Sequence, residues 1–203
     1  MVAGHFGFAA IIKSREKSAP LWALMLATVW LDVVFVPLLL THRESVQPVH
    51  TGYGGLIIHA DYTHSIAGML ALSAVLGAIF LRKHGRRVAI VIALVSASHW
   101  VLDLVVHRPD MPVLPGNLGN LTRFGFGLWN HPQAAACVEL VLVIAGAAMY
   151  WRSAMEVSAK AGRNGRLASL AAAMIAVFGL LVLFLDYTSS TTLQQGSGRY
   201  PEC

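Results

Sequence analysis

Long runs of apolar residues, separated by short polar segments, occupy most of the chain. Five runs are long enough, or nearly so, to cross about 30 Å of hydrocarbon as helices that rise about 1.5 Å per residue. They lie at residues 21–40, 66–81, 88–106, 134–151 and 167–185. The shorter apolar segment at residues 1–12 cannot span a membrane, but as a helix folded back from Lys13 it would enter the same layer. The pattern predicts an all-α fold, a polytopic membrane helix bundle with about five transmembrane helices plus a short N-terminal re-entrant or half helix.

The composition excludes an ordinary water-soluble enzyme. Apolar residues make up 56% of the 203 residues and charged residues only 12%, which leaves too little polar surface to cover a soluble globule of this size. A chain of this length is typical of one domain. We therefore expect a single transmembrane helical domain over residues 1–187 and a disordered tail over residues 188–203, which are rich in Ser, Thr, Gly and Gln.

The basic residues indicate how the bundle is oriented. From the N-terminus onward, the six segments outside the apolar runs contain three, one, four, two, four and one Lys or Arg. This alternation fits the positive-inside rule with a cytoplasmic N-terminal flank and an extracytoplasmic C-terminus. Because topology explains the net charge of +5, the lipid bilayer is the expected partner and nucleic acid is not.

Three acidic residues interrupt the apolar runs: Asp32, Asp103 and Glu139. An Asp at the centre of a transmembrane helix costs about 2.5–3.5 kcal/mol on the insertion scale, so each of these acids needs a partner or a function. His99 lies four residues before Asp103 and therefore shares its helix face, and His107 continues that face by one more turn.

A second group of polar residues precedes the apolar run at 66–81. Residues 59–65 read His-Ala-Asp-Tyr-Thr-His-Ser, and Asp61 or Thr63 is the predicted N-cap of the following helix. His59 and His64 are five residues apart, which does not place them on one helix face. We therefore expect His59 to come from the loop or from a short re-entrant turn.

Depths counted from the basic flanks place the acids and histidines near one another. The counts are about 18–20 Å above the inner boundary for Asp32, His99 and Glu139, and about 24 and 27 Å for Asp103 and His64. The folded-back segment would lift His5 by about 12 Å into the same layer. Imidazoles and carboxylates from several segments are thus expected to meet in the middle and outer half of the bundle.

Oxygen and nitrogen donors of these kinds suit zinc, and also iron or manganese. A divalent cation would neutralise carboxylates that otherwise lie charged inside the membrane. One ion, or two, is compatible with the number of donors. The candidate metal ligands are His5, Asp32, His59, His64, His99 and Asp103.

The order of these motifs resembles the YdjM-type family of inner-membrane-bound metal-dependent hydrolases. The matching features are Gly4-His5, the acid Asp32 on the first span, the block at residues 59–65, the pair His99 and Asp103, and the Pro/Gly-rich segment at residues 109–116. The resemblance covers roughly residues 4–116. It implies a helical protein of the bacterial inner membrane, with a metal-dependent hydrolytic site similar to that of zinc-dependent phospholipases C.

The resulting hypothesis is a membrane-embedded metal-dependent hydrolase in which metal-activated water attacks a small amphiphilic substrate, with a phosphoester lipid as the substrate class implied by the resemblance. Glu139 or Asp61 would take or relay the proton. Substrate contacts are expected from residues near the outer mouth of the bundle, namely His107, Arg108, Asp110 and Arg123.

Other functions use the same residue types. Intramembrane Asp, Glu and His residues also form ion pathways, so an ion-coupled transporter or a proton relay is the main alternative. A small membrane subunit could bind haem through paired histidines or dock a partner through its polar layer. His99 with Asp103 could also be a hydrogen-bonded pair that holds helices together.

Overall fold

The computed structural model describes residues 1–49 and 53–192 and is mostly helical. The helices are α1 (Val2–Arg15), α2 (Leu21–Ala27), α3 (Trp30–Leu40), α4 (Ile66–Val106), α5 (Pro132–Lys160) and α6 (Arg166–Thr192). Two short strands, β1 (Ser45–Pro48) and β2 (Leu56–His59), form an antiparallel hairpin. The predicted all-α fold did not include this hairpin.

Three helices, α4, α5 and α6, are long and apolar enough to cross a membrane. A fourth candidate is the pair formed by α2 and α3, which are bent by 48° relative to each other. The sequence predicted one uninterrupted helix over residues 21–40. The break follows Ala27, and the Thr28 carbonyl accepts a hydrogen bond from His99 Nδ1 at 2.8 Å. The structure thus confirms a helical protein suited to a membrane and replaces the first predicted span by a broken one.

Helix α4 consists of two arms that fold back on each other at Gly85. This glycine has φ 78° and ψ 170°, a backbone conformation open in practice only to glycine. The Ser73 hydroxyl donates to the Ser96 hydroxyl at 3.0 Å across the two arms. The arms, residues 66–84 and 86–106, are each about 28–32 Å long. They correspond to the second and third predicted apolar runs, joined by the tight connection that the sequence indicated.

The N-terminal helix α1 packs directly against the backbone of α5. A Cβ atom on Gly7 would lie 2.4 Å from the Leu142 carbonyl oxygen, and one on Gly146 would lie 2.2 Å from the Gly7 carbonyl oxygen. Small residues permit such close approach between membrane helices. The Thr28 hydroxyl also donates to the carbonyl of His5 at 3.1 Å. Helix α1 therefore is the predicted half helix, held inside the bundle.

The long connection after α4 covers the beginning of that helix. Ile66 donates its backbone N–H to Pro112 O at 3.1 Å, and Ala67 donates to Val113 O at 3.2 Å. These contacts satisfy amides that have no partner within the first turn of a helix. The N-cap is Ser65, whose hydroxyl accepts from Gly68 N at 3.0 Å.

Neither Asp61 nor Thr63 caps α4, so that prediction was wrong. The side chains of both residues have other partners, Arg123 for Asp61 and Glu44 for Thr63. Helix α6 extends to Thr192, into the first residues of the segment predicted to be a disordered tail. The rest of that tail, residues 193–203, lies outside the described residues.

Replacement of Gly85 by Ala should lower the free energy of unfolding by about 1–3 kcal/mol, because the backbone conformation disfavours any side chain. A Cβ atom there would have no neighbour within 4 Å, so steric contact adds nothing. The measurement is Tm in detergent, with Arg86→Ala as the neighbouring exposed control. Equal Tm values for the two variants would contradict the turn at Gly85.

Candidate metal centre

Imidazoles and carboxylates from α1, α3, α4 and the loop before α4 meet in one cluster inside the bundle. We call it the His/Asp cluster; its members are His5, Asp32, His64, His99 and Asp103. The three histidines and Asp103 have side chains that are at most 5% exposed, whereas the side chain of Asp32 is 39% exposed. The cluster is therefore buried on most sides and open at Asp32.

The Asp103 carboxylate lies at the centre of this arrangement. Its Oδ2 is 3.0 Å from His99 Nε2, 3.6 Å from His107 Nε2 and 3.7 Å from His64 Nε2. Its Oδ1 is 3.5 Å from His5 Nε2, and this buried oxygen accepts no hydrogen bond from any described residue. Four imidazoles thus surround one carboxylate.

Asp32 approaches two of the same histidines from α3. Its Oδ1 is 3.5 Å from His99 Nε2 and 3.6 Å from His64 Nε2, and the two Nε2 atoms are 3.1 Å apart. These three atoms therefore form a triangle. Asp103 Oδ2 forms a second triangle on the same pair of nitrogens.

Backbone carbonyls determine which nitrogen carries the proton in two of the histidines. His99 Nδ1 is 2.8 Å from Thr28 O, and His5 Nδ1 is 2.5 Å from Met1 O. A carbonyl only accepts hydrogen bonds, so each Nδ1 is the donor. In the neutral form of His99, Nε2 then presents a lone pair. His5 Nε2 lies 3.4 Å from a second acceptor, the carbonyl of His99, so both nitrogens of this ring face hydrogen-bond acceptors.

Side chains have the same effect on the other two histidines. His107 Nδ1 lies 2.9 Å from the Asp110 carboxylate. His64 Nδ1 lies 2.9 Å from the hydroxyl of Thr63, which in turn donates to Glu44 at 3.0 Å. Glu44 is buried and also accepts from the Thr63 backbone N–H at 2.8 Å. Here too Nδ1 donates and Nε2 is left facing the cluster.

The resulting electrostatics require positive charge in the cluster. The Nε2 atoms of four imidazoles face the Asp103 carboxylate, and two of them also face Asp32. Lone pairs and carboxylate oxygens at 3.0–3.7 Å repel one another unless protons or a metal cation lie between them. Metal-binding histidines characteristically donate their outer N–H to an oxygen acceptor, as all four do here.

The separations match the size of a metal site. A tetrahedral zinc site with ligand distances of about 2.0–2.1 Å has ligand–ligand separations of about 3.3–3.4 Å. The two triangles on His64 and His99 have sides between 3.0 and 3.7 Å. Two groups of three residues each bring their ligand atoms within 4.8 Å of one another. The groups are His5, His99 and Asp103, and Asp32, His64 and His99, so His99 belongs to both. Because only its Nε2 is free, the geometry fits one ion better than two.

Asp61 and Arg123 lie outside the cluster and pair with each other. Arg123 donates to both oxygens of Asp61, at 2.6 and 2.9 Å, and to the carbonyl of Asp110 at 2.8 Å. The hydrogen bond to Asp61 raises the pKa of Arg123. Asp61, a predicted proton relay, and Arg123, a predicted substrate contact, thus form an ion pair. This pair joins the loop before α4 to the connection after it.

The other predicted substrate contacts are bound to protein groups as well. Arg108 donates to the carbonyls of Gly54 and Leu56, at 2.6 and 3.0 Å. Asp110 is buried and orients His107, and His107 is itself only 2% exposed. Its Nε2 faces Asp103, so the structure places His107 beside the candidate ligands and not at an open mouth.

Glu139 lies on α5 and is not a member of the cluster. It is fully buried, and its carboxylate accepts hydrogen bonds from the Tyr53 hydroxyl and from the backbone N–H of Gly4, the latter at 2.9 Å. A carboxylate at a helix N-terminus is favoured by the helix dipole. Glu139 therefore holds the first turn of α1, which carries His5.

His59 is separate from the cluster. It is the last residue of β2, its Nε2 is 3.4 Å from Gln47 Oε1, and it belongs to neither three-residue group. The hairpin pairs Ser45 with His59, which directs this end of β2 toward β1. Of the six predicted ligands, the structure brings together five.

Sequence reasoning missed the residues that support the ligands. Thr63 is adjacent to His64, so its position was a usable signal. Glu44, Thr28 and Tyr53 belong to other segments, and nothing in the local sequence links them to a histidine or to Glu139. His107 was identifiable because it is four residues from Asp103, a spacing that places both on one helix face.

Comparisons with protein-family models, curated proteins and solved structures find no match for this chain.

Replacement of Glu44 by Ala should lower the free energy of unfolding by about 2–4 kcal/mol, because the buried backbone N–H of Thr63 and the partly buried N–H of Tyr62 lose their acceptor. Thermal unfolding in detergent measures the effect. The matched control is Glu156→Ala on α5, where the glutamate is exposed. A Tm change no larger than that of the control would show that Glu44 does not support the loop before α4.

Proposed function

We propose that this chain is an integral membrane protein that binds one divalent cation, zinc by preference, in the His/Asp cluster. In this proposal the cation serves the hydrolysis of an amphiphilic substrate, a phosphoester lipid by class. The observation that carries the proposal is the inward orientation of four Nε2 atoms toward Asp103, with every Nδ1 fixed by an acceptor.

The donor set supports zinc over the harder cations. Mg²⁺ and Ca²⁺ prefer oxygen ligands, whereas imidazole nitrogens suit zinc and the later transition metals. The buried Asp103 Oδ1, which no described donor satisfies, is a further reason to place a cation beside it. His107 is a candidate fourth imidazole ligand, because its Nε2 is as close to Asp103 as that of His64.

The chemistry proposed for the site is hydrolytic. When bound, such a cation is a Lewis acid that activates water and polarises a phosphoryl oxygen. Asp32 is the exposed member of the cluster, so water and substrate would approach from its side. Its Oδ1 faces the histidines, and its Oδ2 is the atom proposed to take the proton from water.

The membrane topology belongs to the same proposal. The two arms of α4 would cross the membrane separately and the bent pair α2 and α3 together, which with α5 and α6 gives five crossings. The cytoplasmic end would be the one with the α4 turn, where Arg87 pairs with Glu16 at 2.8 Å. The inner membrane of a bacterium is the proposed location.

We also propose kinship with the YdjM-type hydrolases. The features shared with that family include His5, Asp32, His64, His99 and Asp103. All five are members of the His/Asp cluster. These residues come together from distant parts of the chain, which supports the resemblance and the proposed hydrolytic function of the site.

A proton relay is the second candidate function. The observation that favours it is an unbroken chain of titratable groups, from Asp110 through His107 and Asp103 to His5. Protons shared along this chain would satisfy the same lone pairs without a metal. The two functions differ in whether the purified chain contains a metal.

Purified without chelator, the wild-type chain should contain about one zinc. His99→Ala and Asp103→Asn should lower the zinc affinity at least 100-fold, because His99 belongs to both triangles and Asp103 is the carboxylate that four imidazoles surround. Elemental analysis gives the stoichiometry, and the d–d spectrum of the cobalt-substituted protein reports tetrahedral coordination. The control is His59→Ala, which should keep the metal. A metal content below one in ten chains would refute metal binding.

Reconstituted in liposomes, the chain should cleave a fluorogenic phosphodiester lipid. Chelation should abolish turnover, zinc should restore it, and Asp32→Asn should lower kcat more than it raises KM if Asp32 takes the proton. His131→Ala, on an exposed turn, is the control. Metal-independent proton flux without hydrolysis would instead identify the relay.

A further inference from the structure

A cavity of about 310 Å³ lies between the C-terminal end of α1 and the facing parts of α5 and α6. Lys13 and Lys17 line it, and no acidic residue does. Lys13 is eight residues beyond His5, about 12 Å along α1, so the cavity is separate from the His/Asp cluster. We call it the lysine cavity.

Lys13 is held in place by backbone atoms. Its Nζ donates to the carbonyls of Lys17 and Ala19, both at 2.8 Å. An ammonium group has three donors, so one N–H remains for a ligand. Among the described residues, neither Lys13 nor Lys17 forms a salt bridge with an acid. Burial lowers the pKa of Lys13 and the nearby acid Glu16 opposes this effect, but the Glu16 carboxylate pairs with Arg87. The cavity therefore contains one cation held by backbone carbonyls and a second lysine, and no acidic residue lines its wall.

Hydroxyl groups add further donors on the opposite wall. Tyr150 and Ser158 of α5 line the cavity, and neither side chain has a hydrogen-bond partner in the part of the chain that the structure describes. Ser153 differs, because its hydroxyl donates to Ser14 O at 2.9 Å. Cations and free hydroxyls are the groups that bind phosphate oxygens.

The remaining wall is apolar and exposed. Val157 and Leu167 line the cavity and are 46% and 79% exposed. From Leu167, the apolar face of α6 continues through Leu170 and Met174, which are also exposed. A ligand here would place an anionic group on the lysines and apolar chains along α6.

We propose that the lysine cavity binds the phosphate headgroup of an anionic phospholipid. Basic pockets between transmembrane helices at the cytoplasmic boundary have this role in membrane proteins. The continuous apolar face favours a lipid over free phosphate, because only a lipid would cover both the lysines and Leu167. This inference requires a membrane-embedded bundle and is independent of metal binding or hydrolysis.

Native mass spectrometry of the full chain in detergent tests the proposal. Titration with phosphatidylglycerol should give one retained lipid per chain, and phosphatidylcholine should bind at least tenfold more weakly. Lys13→Gln with Lys17→Gln should weaken phosphatidylglycerol binding tenfold or more, as expected for two cations near an anionic lipid. The glutamine side chain that replaces Lys13 still offers an N–H donor to the carbonyls of Lys17 and Ala19, so the substitution mainly removes charge.

Two controls separate this site from general charge effects. Arg82→Gln with Lys83→Gln removes the same charge from the exposed turn of α4 and should leave the retained lipid unchanged. Tyr150→Phe with Ser158→Ala keeps the charge, tests the hydroxyls and should weaken binding about threefold. Equal losses in the two double-charge variants would overturn the proposal. Competition by 10 mM inorganic phosphate would also overturn it, in favour of a free-phosphate site.

Discussion

The buried carboxylate of Asp103 is the constraint on which the arrangement of the helices depends. A carboxylate at that depth is costly unless positive charge or donors surround it. Four imidazoles from separate positions do so: His5 from α1, His64 from the loop before α4, and His99 and His107 from the second arm of α4. Several irregular features of the fold follow from this requirement, including the tucked α1 and the break before α3.

Local spacing was enough to predict the central part of the cluster. His99 and Asp103 are four residues apart, so helix geometry alone places them on one face. The apolar segment at residues 1–12 was too short to span, which correctly indicated a half helix that carries His5 inward. Asp32 was identifiable because an acid within an apolar run needs a partner. These predictions rest on periodicity and on the cost of burial, both of which act within one segment.

The rest of the site depends on contacts between segments and could not be predicted. Glu44 supports His64 from 20 residues away through a turn whose shape the sequence does not encode locally. Asp61 looked like a cap, but Arg123 lies 62 residues later in the chain and pairs with it. Depth counts assumed straight helices and placed His64 well above His99, whereas their Nε2 atoms are 3.1 Å apart.

The sharp turn at Gly85 has a consequence for how the chain is made. The two arms of α4 have almost no loop between them and share the hydrogen bond from Ser73 to Ser96. A serine hydroxyl that faces hydrocarbon without a hydrogen-bond partner is unfavourable, so either arm alone would be less stable in a bilayer than the two arms together. The pair is therefore suited to leave the translocon together as a helical hairpin. On the proposed topology, His99 and Asp103 would then enter the membrane on an arm that already has its hydrogen-bonded partner.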